Sequence, residues 1–345
     1  MIEISQTSIN AITAHGVGNK NNEGKLKLSD QPITIEGGLL SSLLTTYFLS
    51  GFRSLEQFSF RTENENDEHP IMPVIQSIFE DPESIQANSI LLAQRLYEIT
   101  EHPNIKAGEL YIVHFSNVGF EDGLYDAVGI FKSETRDNYI QVDEGKKGYK
   151  LSAQQGLNIN KLDKGCLILN DLGAEGYRML LVDNANRSDA SFWKHDFLGA
   201  SPLKDAFHHT QNFMTLTRQY VDDQLDEEFS VSKADKIDLL NKSKDFFNTR
   251  DQFNQKEFES EVLADESVIE SFRKYEKTFM TDADIAKNFE ISANAVKKQA
   301  RVFKSVLKLD KNFHIYIHGN RELIEKGYDD LTRRHYYKFY FDQES

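Results

Sequence analysis

Basic side chains recur at intervals of three or four residues near the end of this 345-residue chain. Lys297, Arg301, Lys304 and Lys308 follow one another at spacings of four, three and four, and Lys298 stands beside the first. On an α-helix these spacings place the cations along one face. Such a column suits the phosphates of a nucleic acid, and it is also the pattern of an ordinary solvated helix face. These five residues are the first candidates for polyanion binding.

A second basic group lies in the last predicted strand, where cations and aromatic residues are interleaved. The cations are Arg333, Arg334 and Lys338, and the aromatic residues are Tyr336, Tyr337 and Tyr340. This mixture favours contact with a nucleic acid backbone and stacking on its bases. An edge strand protected by charge has the same composition, so both interpretations stay open.

The elements that position these residues are predicted from apolar spacing. A helix over 292–309 is expected, because an apolar row repeats the cation spacing one residue earlier. Two strands, 313–318 and 335–341, follow it. Residues 284–296 fit a helix-turn-helix pattern, with Glu290 at the turn position that glycine usually fills. With the two strands, this pattern predicts a winged form of that DNA-binding motif.

A catalytic alternative rests on three residues in the first half of the chain. Asp126, Glu144 and Lys146 imitate the arrangement in which two carboxylates hold Mg²⁺ and a lysine steadies the attacking water of a nuclease. Glu144 and Lys146 are predicted to be turn residues, which weighs against this assignment. The ten histidines are scattered and the single cysteine has no partner, so no metal or cofactor site is predicted.

Charge is distributed unevenly along the chain. The net charge is −15, with −11 over residues 1–200, −8 over 201–291 and +4 over 292–345. An acidic protein can still bind DNA through a locally basic face, because salt screens charges more distant than about 10 Å. Any polyanion-binding face is therefore expected in the last segment. The acidic stretch 201–291 could instead dock a basic protein.

The order of predicted elements indicates an α+β fold with two domains. Helices and then a run of short strands make residues 1–200 an α+β domain with a mainly antiparallel sheet. The stretch 156–200 supplies its last strands, with a turn predicted at residues 163–165. After Pro202 the apolar period becomes 3.6, so residues 201–345 form a mostly helical domain that ends in the basic helix and two strands.

The N-terminus, the longest apolar run and the cysteine content indicate in which cellular compartment the protein is expected. The N-terminus has neither the basic nor the apolar region of a signal peptide. The longest apolar-leaning run, 39–52, is too short and too polar to span a bilayer. One cysteine, Cys166, fits a reducing compartment. A cytoplasmic protein without membrane association is therefore expected.

The layout resembles the bacterial 37-kilodalton nucleoid-associated protein family. The resemblance is carried by the strand pair 111–115 and 125–131, by the stretch 157–181 with its ending at 196–200, and by the closing elements over 292–326. The most specific piece is Asp196-Phe197-Leu198-Gly199-Ala200. The resemblance implies a cytoplasmic protein on the nucleoid with DNA as its partner. It implies no established catalytic residues.

Three hypotheses result. The first is a non-enzymatic, homodimeric protein whose basic tail binds double-stranded DNA through largely sequence-independent phosphate contacts. The second is an adaptor that recruits a DNA enzyme through its acidic helical region. The third is the Mg²⁺ nuclease. The stretch 156–200 is interpreted as scaffold, and substitutions there are expected to impair folding before binding.

Overall fold

The computed structural model describes residues 2–53, 56–60, 69–121, 123–146, 148–173, 176–184, 192–279, 286–300, 306–317 and 321–343. The chain forms two compact units, Met1–Leu203 and Lys204–Ser345. No helix among these residues is long and apolar enough to cross a bilayer.

The first unit alternates helices with long strands. Its elements are β1 (Ser8–Val17), β2 (Leu26–Lys27), α1 (Gly38–Leu49), β3 (Gln57–Phe60), α2 (Met72–Glu80), α3 (Ile85–Glu98), β4 (Gly108–Phe120), β5 (Gly123–Ser133), β6 (Asp137–Gly145), β7 (Gly148–Gly156), β8 (Lys164–Gly173), β9 (Gly176–Asp183) and β10 (Ala200–Pro202). Eight of the described strands form one antiparallel sheet in the order β10-β3-β9-β8-β5-β4-β1-β2, while β6 and β7 form a separate hairpin.

Both faces of the large sheet are covered. Strand β8 shows this best, because Cys166 and Ile168 pack into the core with α2 and α3, whereas Leu167 and Leu169 pack into the core with α1. All four side chains are fully buried. A strand buried on both sides reads as a continuous apolar run rather than an alternating one, which is the pattern found here.

A tight corner leads out of the sheet at the most specific motif of the resemblance. A π-helical turn, Phe192–Phe197, is followed two residues later by Gly199, whose φ is +56°. A Cβ at Gly199 would lie 2.3 Å from Nε2 of His69, so only glycine fits. Arg95 donates to the carbonyl oxygens of Asp196 and Phe197 at 2.9 and 3.1 Å. The motif therefore holds backbone in place, which supports the scaffold interpretation of this stretch.

The second unit begins helical. Its elements are α4 (Ala206–Gln219), α5 (Leu225–Glu228), α6 (Lys233–Asn248), β11 (Gln252–Asn254), α7 (Gln255–Phe258), α8 (Glu266–Phe279), β12 (Asn288–Glu290), α9 (Ala293–Ala300), β13 (Val306–Leu309), β14 (Phe313–Tyr316), β15 (Ile324–Asp329) and β16 (Arg334–Phe339). Two π-helical stretches, Tyr220–Gln224 and Glu259–Leu263, continue α4 and α7. A cluster of buried phenylalanines forms its main core.

The predicted fold class is confirmed, as α+β with a large antiparallel sheet followed by helices and C-terminal strands. The predicted helix over 292–309 is wrong in its extent. Its described part is Ala293–Ala300, and Val306–Leu309 is a strand paired with β14. The helix-turn-helix prediction is also wrong, because Asn288–Glu290 is a strand that pairs with β11. A three-residue turn between two helices is therefore not formed there.

Candidate nucleic-acid interface

Helix α9 carries the first two predicted cations. Ala295 and Val296 are buried on its inner side, against the core formed with α4 and α6. Lys297 and Lys298 are exposed. The ammonium of Lys298 lies 5.2 Å from the centre of the Phe207 ring, a cation–π contact that fixes its stem against α4. Lys297 is the freer of the two.

The remaining predicted helix cations are divided between a strand and residues that the structure does not describe. Lys308 is exposed on β13 and lies opposite His314 of β14. Its neighbour Leu307 is buried against Ala234 and Ile237 of α6, so the strand alternates between core and solvent. Arg301 and Lys304 lie outside the described residues. The cations thus do not form a single column on one helix.

Strand β16 presents a mixed basic and aromatic face. Arg334, Tyr336, Lys338 and Tyr340 occupy alternate positions, so they point to the same side of the hairpin. Gly327 lies opposite Tyr336, and a Cβ there would meet the Tyr336 ring at 2.2 Å. The ring therefore lies flat across the glycine and stays 42% exposed. Arg333 precedes the strand in a turn, with φ of +53°.

Acidic residues on the neighbouring strand divide these cations into two classes. Glu325 lies opposite Lys338, and their charged atoms are 3.4 Å apart. The Tyr340 hydroxyl donates to the same carboxylate at 2.7 Å. The hydrogen bond from Tyr340, together with the charge of Lys338, lowers the pKa of Glu325. Lys338 therefore already has a partner.

Four other exposed cations among the predicted site residues are available to bind an anion. Within the described part of the chain, no hydrogen bond or ion pair engages the side chains of Lys297, Lys308, Arg333 or Arg334. All four are exposed. The carboxylate across from Arg334, that of Asp329, is occupied in its own turn by Leu331 and Thr332. These four cations can therefore bind phosphate without breaking any contact within the described part of the chain.

Comparison with known proteins bears on what such a surface is for. A family model described as "Nucleoid-associated protein YejK" (NA37) matches residues 14–335, nearly the whole chain. The chain belongs to this nucleoid-associated protein family. No curated protein matches it significantly. The match spans α9, β13 and the start of β16, and it agrees with the resemblance inferred from the sequence.

In this nucleoid-associated protein the residues of the predicted nuclease site lie on two different sheets. Asp126 is on β5 of the large sheet, whereas Glu144 is near the tip of the separate β6–β7 hairpin and Lys146 is in its turn. Among the described residues, no group of three or more His, Cys, Asp or Glu side chains could hold a metal ion. These positions give no structural support to Mg²⁺ chemistry.

Sequence reasoning missed a charged cleft of about 450 Å³ in the acidic helical region. Its floor contains Gln255, which donates to buried Glu259 and Glu276 at 3.2 and 2.9 Å. Arg273 donates to both oxygens of Glu259. The other basic residues that line it are Lys256, Lys277 and Lys287. Widely separated sequence positions contribute these cations, so no local pattern could have indicated them.

Proposed function

We propose that this protein binds double-stranded DNA directly and without catalysis, through the exposed cations of its C-terminal segment. The observation that carries this proposal is a set of exposed side chains in a chain of net charge −15, those of Lys297, Lys308, Arg333 and Arg334, which have no partner among the residues that the structure describes. Membership of a nucleoid-associated family supports it. We place the protein on the nucleoid, in the cytoplasm, as a homodimer.

The contacts in this proposal are to the DNA backbone. A lysine or arginine that binds a phosphate releases condensed counterions, so binding weakens steeply as salt rises. Such contacts are largely indifferent to base sequence. The exposed ring of Tyr336 beside Arg334 adds a surface on which a sugar or an unstacked base can rest. Lys298 and Lys338 have contacts within the protein, and they are expected to contribute less.

Charge reversal of three free cations tests the proposal. A Lys297→Glu/Lys308→Glu/Arg334→Glu variant is expected to bind a short DNA duplex at least about tenfold more weakly at low salt, because attraction to three phosphates is replaced by repulsion. The slope of log affinity against log salt should become shallower by about 0.9 for each phosphate that the variant no longer neutralises. Fluorescence anisotropy of a labelled duplex over a series of salt concentrations measures both quantities.

A matched variant separates a local interface from the effect of net charge. Lys25, Lys106 and Lys161 are exposed residues of the first unit, and Lys25→Glu/Lys106→Glu/Lys161→Glu changes the net charge by the same amount. This control should retain most of the wild-type affinity. Equal reductions of affinity in the two triple variants, or no reduction in the first, would overturn the assignment of the interface.

The adaptor hypothesis is less well supported by the geometry. It requires a continuous acidic surface over 201–291, whereas Lys256, Arg273, Lys277 and Lys287 surround a cleft within that region. An adaptor would not shift duplex DNA at low salt, although it would co-purify with a DNA enzyme.

The nuclease hypothesis has its own test. Plasmid incubated with the wild-type protein and Mg²⁺ is expected to remain intact, and cleavage that Glu144→Gln abolishes would restore the nuclease hypothesis.

A further inference from the structure

The β6–β7 hairpin is built unlike the rest of the first unit. Nine residue pairs join the two strands, from Asp137–Gly156 to Gly145–Gly148. The hairpin forms a sheet of its own beside the large one. Every residue of β6 is exposed, and in β7 only Ser152 and Gly156 are partly covered. An isolated two-stranded hairpin is marginally stable in water, so this one is expected to have a covering partner.

The two faces of the hairpin differ sharply in chemistry. Strand alternation and the observed register assign each side chain to a face. One face is mostly polar, with Gln141, Asp143, Lys150, Ser152 and Gln154 beside a single aromatic residue, Tyr139. The other face has an apolar centre of Ile140, Val142, Tyr149, Leu151 and Ala153, bordered by Asn138, Gln155 and Glu144. An amphipathic strand pair of this kind normally packs its apolar face on a core.

The apolar face is open to solvent in the single chain. Ile140 is 73% exposed, Val142 59%, Tyr149 76% and Leu151 67%. Isolated exposed apolar residues are normal on proteins, whereas a contiguous patch marks a contact surface. These four neighbours form one patch across the two strands. Burying it would stabilise an assembly, because removing large apolar side chains from water is favourable.

Charge indicates which partner fits. Residues 137–156 contain three acidic and three basic residues, so the hairpin segment is neutral within a chain of net charge −15. A surface for DNA would be positive, and a surface for a basic enzyme would be negative. Among its strand residues the apolar face carries one charge, the Glu144 carboxylate at its border, so two acidic copies can meet there with little mutual repulsion. The same patch on both copies is also self-complementary about a two-fold axis.

We propose that the apolar face of the β6–β7 hairpin is the homodimer interface, with two hairpins packed face to face. Four side chains of this size expose on the order of 500 Å² in each copy, and the pair therefore reaches the roughly 1,000 Å² that a specific interface requires. The inference rests on the homodimer part of the proposed function and names the surface that forms it. It does not depend on DNA binding.

A pair of matched variants tests the interface without DNA. Val142→Lys/Leu151→Lys places two charges on the apolar face, whereas Gln141→Lys/Ser152→Lys places the same charges on the polar face of the same strands. The full-length wild type and the polar-face variant should be dimers in sedimentation velocity at micromolar concentration. The apolar-face variant should be a monomer, with a shift in dissociation constant of at least about a hundredfold.

Two further results would decide the matter. Circular dichroism must show that the apolar-face variant is folded, which is expected because its substituted side chains are already exposed. In a Leu151→Cys variant, oxidation should give a covalent dimer at high yield, since the native Cys166 is buried and unreactive. A monomeric wild type, or an apolar-face variant that remains a dimer, would overturn the proposal. DNA affinity measured on the same samples separates this outcome from a failure of the proposed DNA binding.

Discussion

Two sets of cations, one in each unit, use their charge in opposite ways. In the first unit, Lys132 and Lys164 have fully buried side chains. Each forms an ion pair within the fold, Lys132 with Glu134 and Lys164 with Asp183. In the second unit, Lys297, Lys308 and Arg334 are exposed and have no partner within the described residues. A buried charge that loses its partner is left without compensation, whereas an exposed one can exchange water for phosphate. Only the second kind is suited to binding a polyanion.

The buried charges form a connected polar network at one end of the large sheet. The ammonium of Lys132 donates to Glu134 at 2.7 Å and to the carbonyl oxygen of Lys106 at 2.5 Å. The carboxylate of Asp163 accepts the backbone N–H groups of Glu134 and Thr135. Burial lowers the pKa of Lys132, and the charge of Glu134 opposes that shift. The network holds strand ends together and leaves little charge for a ligand.

The sharpest test of this contrast is a double-mutant cycle in the buried network. Glu134→Leu removes the partner of Lys132 and should lower the free energy of unfolding by about 3–5 kcal/mol, because a buried charge is left unpaired. Lys132→Met/Glu134→Leu removes both charges and should regain most of that stability. Urea unfolding followed by the fluorescence of Trp193, the only tryptophan and a fully buried one, reports on this unit.

An exposed cation supplies the matched comparison. Arg334→Leu should change the free energy of unfolding by less than about 0.5 kcal/mol, as expected for a surface position without contacts. It should nevertheless weaken DNA binding, whereas the folded Glu134→Leu variant should not. A double variant no more stable than Glu134→Leu would show that Lys132 and Glu134 do not act as a pair.

The next largest expected effect is a loss of stability of the first unit in acid, because this unit contains buried histidines. Nδ1 of His69 accepts the backbone N–H groups of Ile71 and Met72, both at 3.1 Å, so the ring must be neutral. Burial lowers the pKa of His69, His15 and His114 below the usual 6.5. Below pH 6.5 the unfolded chain therefore binds more protons than the folded one. The free energy of unfolding decreases as the pH is lowered through this range.

The expected decrease in stability is about 1.4 kcal/mol for each histidine and each pH unit between its folded pKa and 6.5. Trp193 fluorescence in urea at pH 7.5 and pH 5.5 measures it. A His69→Asn variant, whose amide oxygen can accept the same N–H groups, should show a smaller difference between the two pH values. His314→Asn, at an exposed position, should behave as the wild type. An unchanged pH dependence in His69→Asn would remove this histidine from the explanation.

Much of the first unit could be predicted, because its strands carry their own patterns. The run Cys166–Leu169 and the pair β4–β5 are apolar enough to specify buried strands locally. Lys164 is the exception. The sequence predicts a turn at 163–165, whereas Lys164 begins β8 with its ammonium 2.8 Å from Asp183. An isolated lysine gives no local sign that a carboxylate nineteen residues later will compensate its burial.

The end of the second unit is harder to predict for a related reason. Lys304 and Lys308 have helical spacing, yet Val306, Leu307, Lys308 and Leu309 also alternate as a strand. Pairing with β14 and burial of Leu307 on α6 decide in favour of the strand. Likewise, β12 exists because it pairs with β11, more than thirty residues earlier. Strand preference depends on such neighbours more than on the local sequence.

The smallest predicted effect is a difference in DNA affinity between variants of two exposed cations, Lys338 and Arg334. Lys338 shares Glu325 with Tyr340, and its ammonium lies 5.3 Å from the Tyr340 ring. Replacing it must therefore cost less DNA affinity than replacing Arg334. We expect a two- to fivefold weakening for Arg334→Ala, equivalent to roughly 0.4–1 kcal/mol, and less than about twofold for Lys338→Ala.

Glu325 should then weaken DNA binding by competing with phosphate for Lys338 on the neighbouring strand. Glu325→Gln keeps a hydrogen-bond acceptor for Tyr340 and removes the charge that competes with phosphate for Lys338. The variant should bind duplex DNA about twofold more tightly than the wild type and show a slightly steeper salt dependence, because one more cation becomes available to displace counterions. Anisotropy titrations on Glu325→Gln and Glu325→Gln/Lys338→Ala measure the effect. If the tighter binding persists without Lys338, it reflects the removal of one negative charge near the DNA, and the division into paired and unpaired cations does not govern affinity.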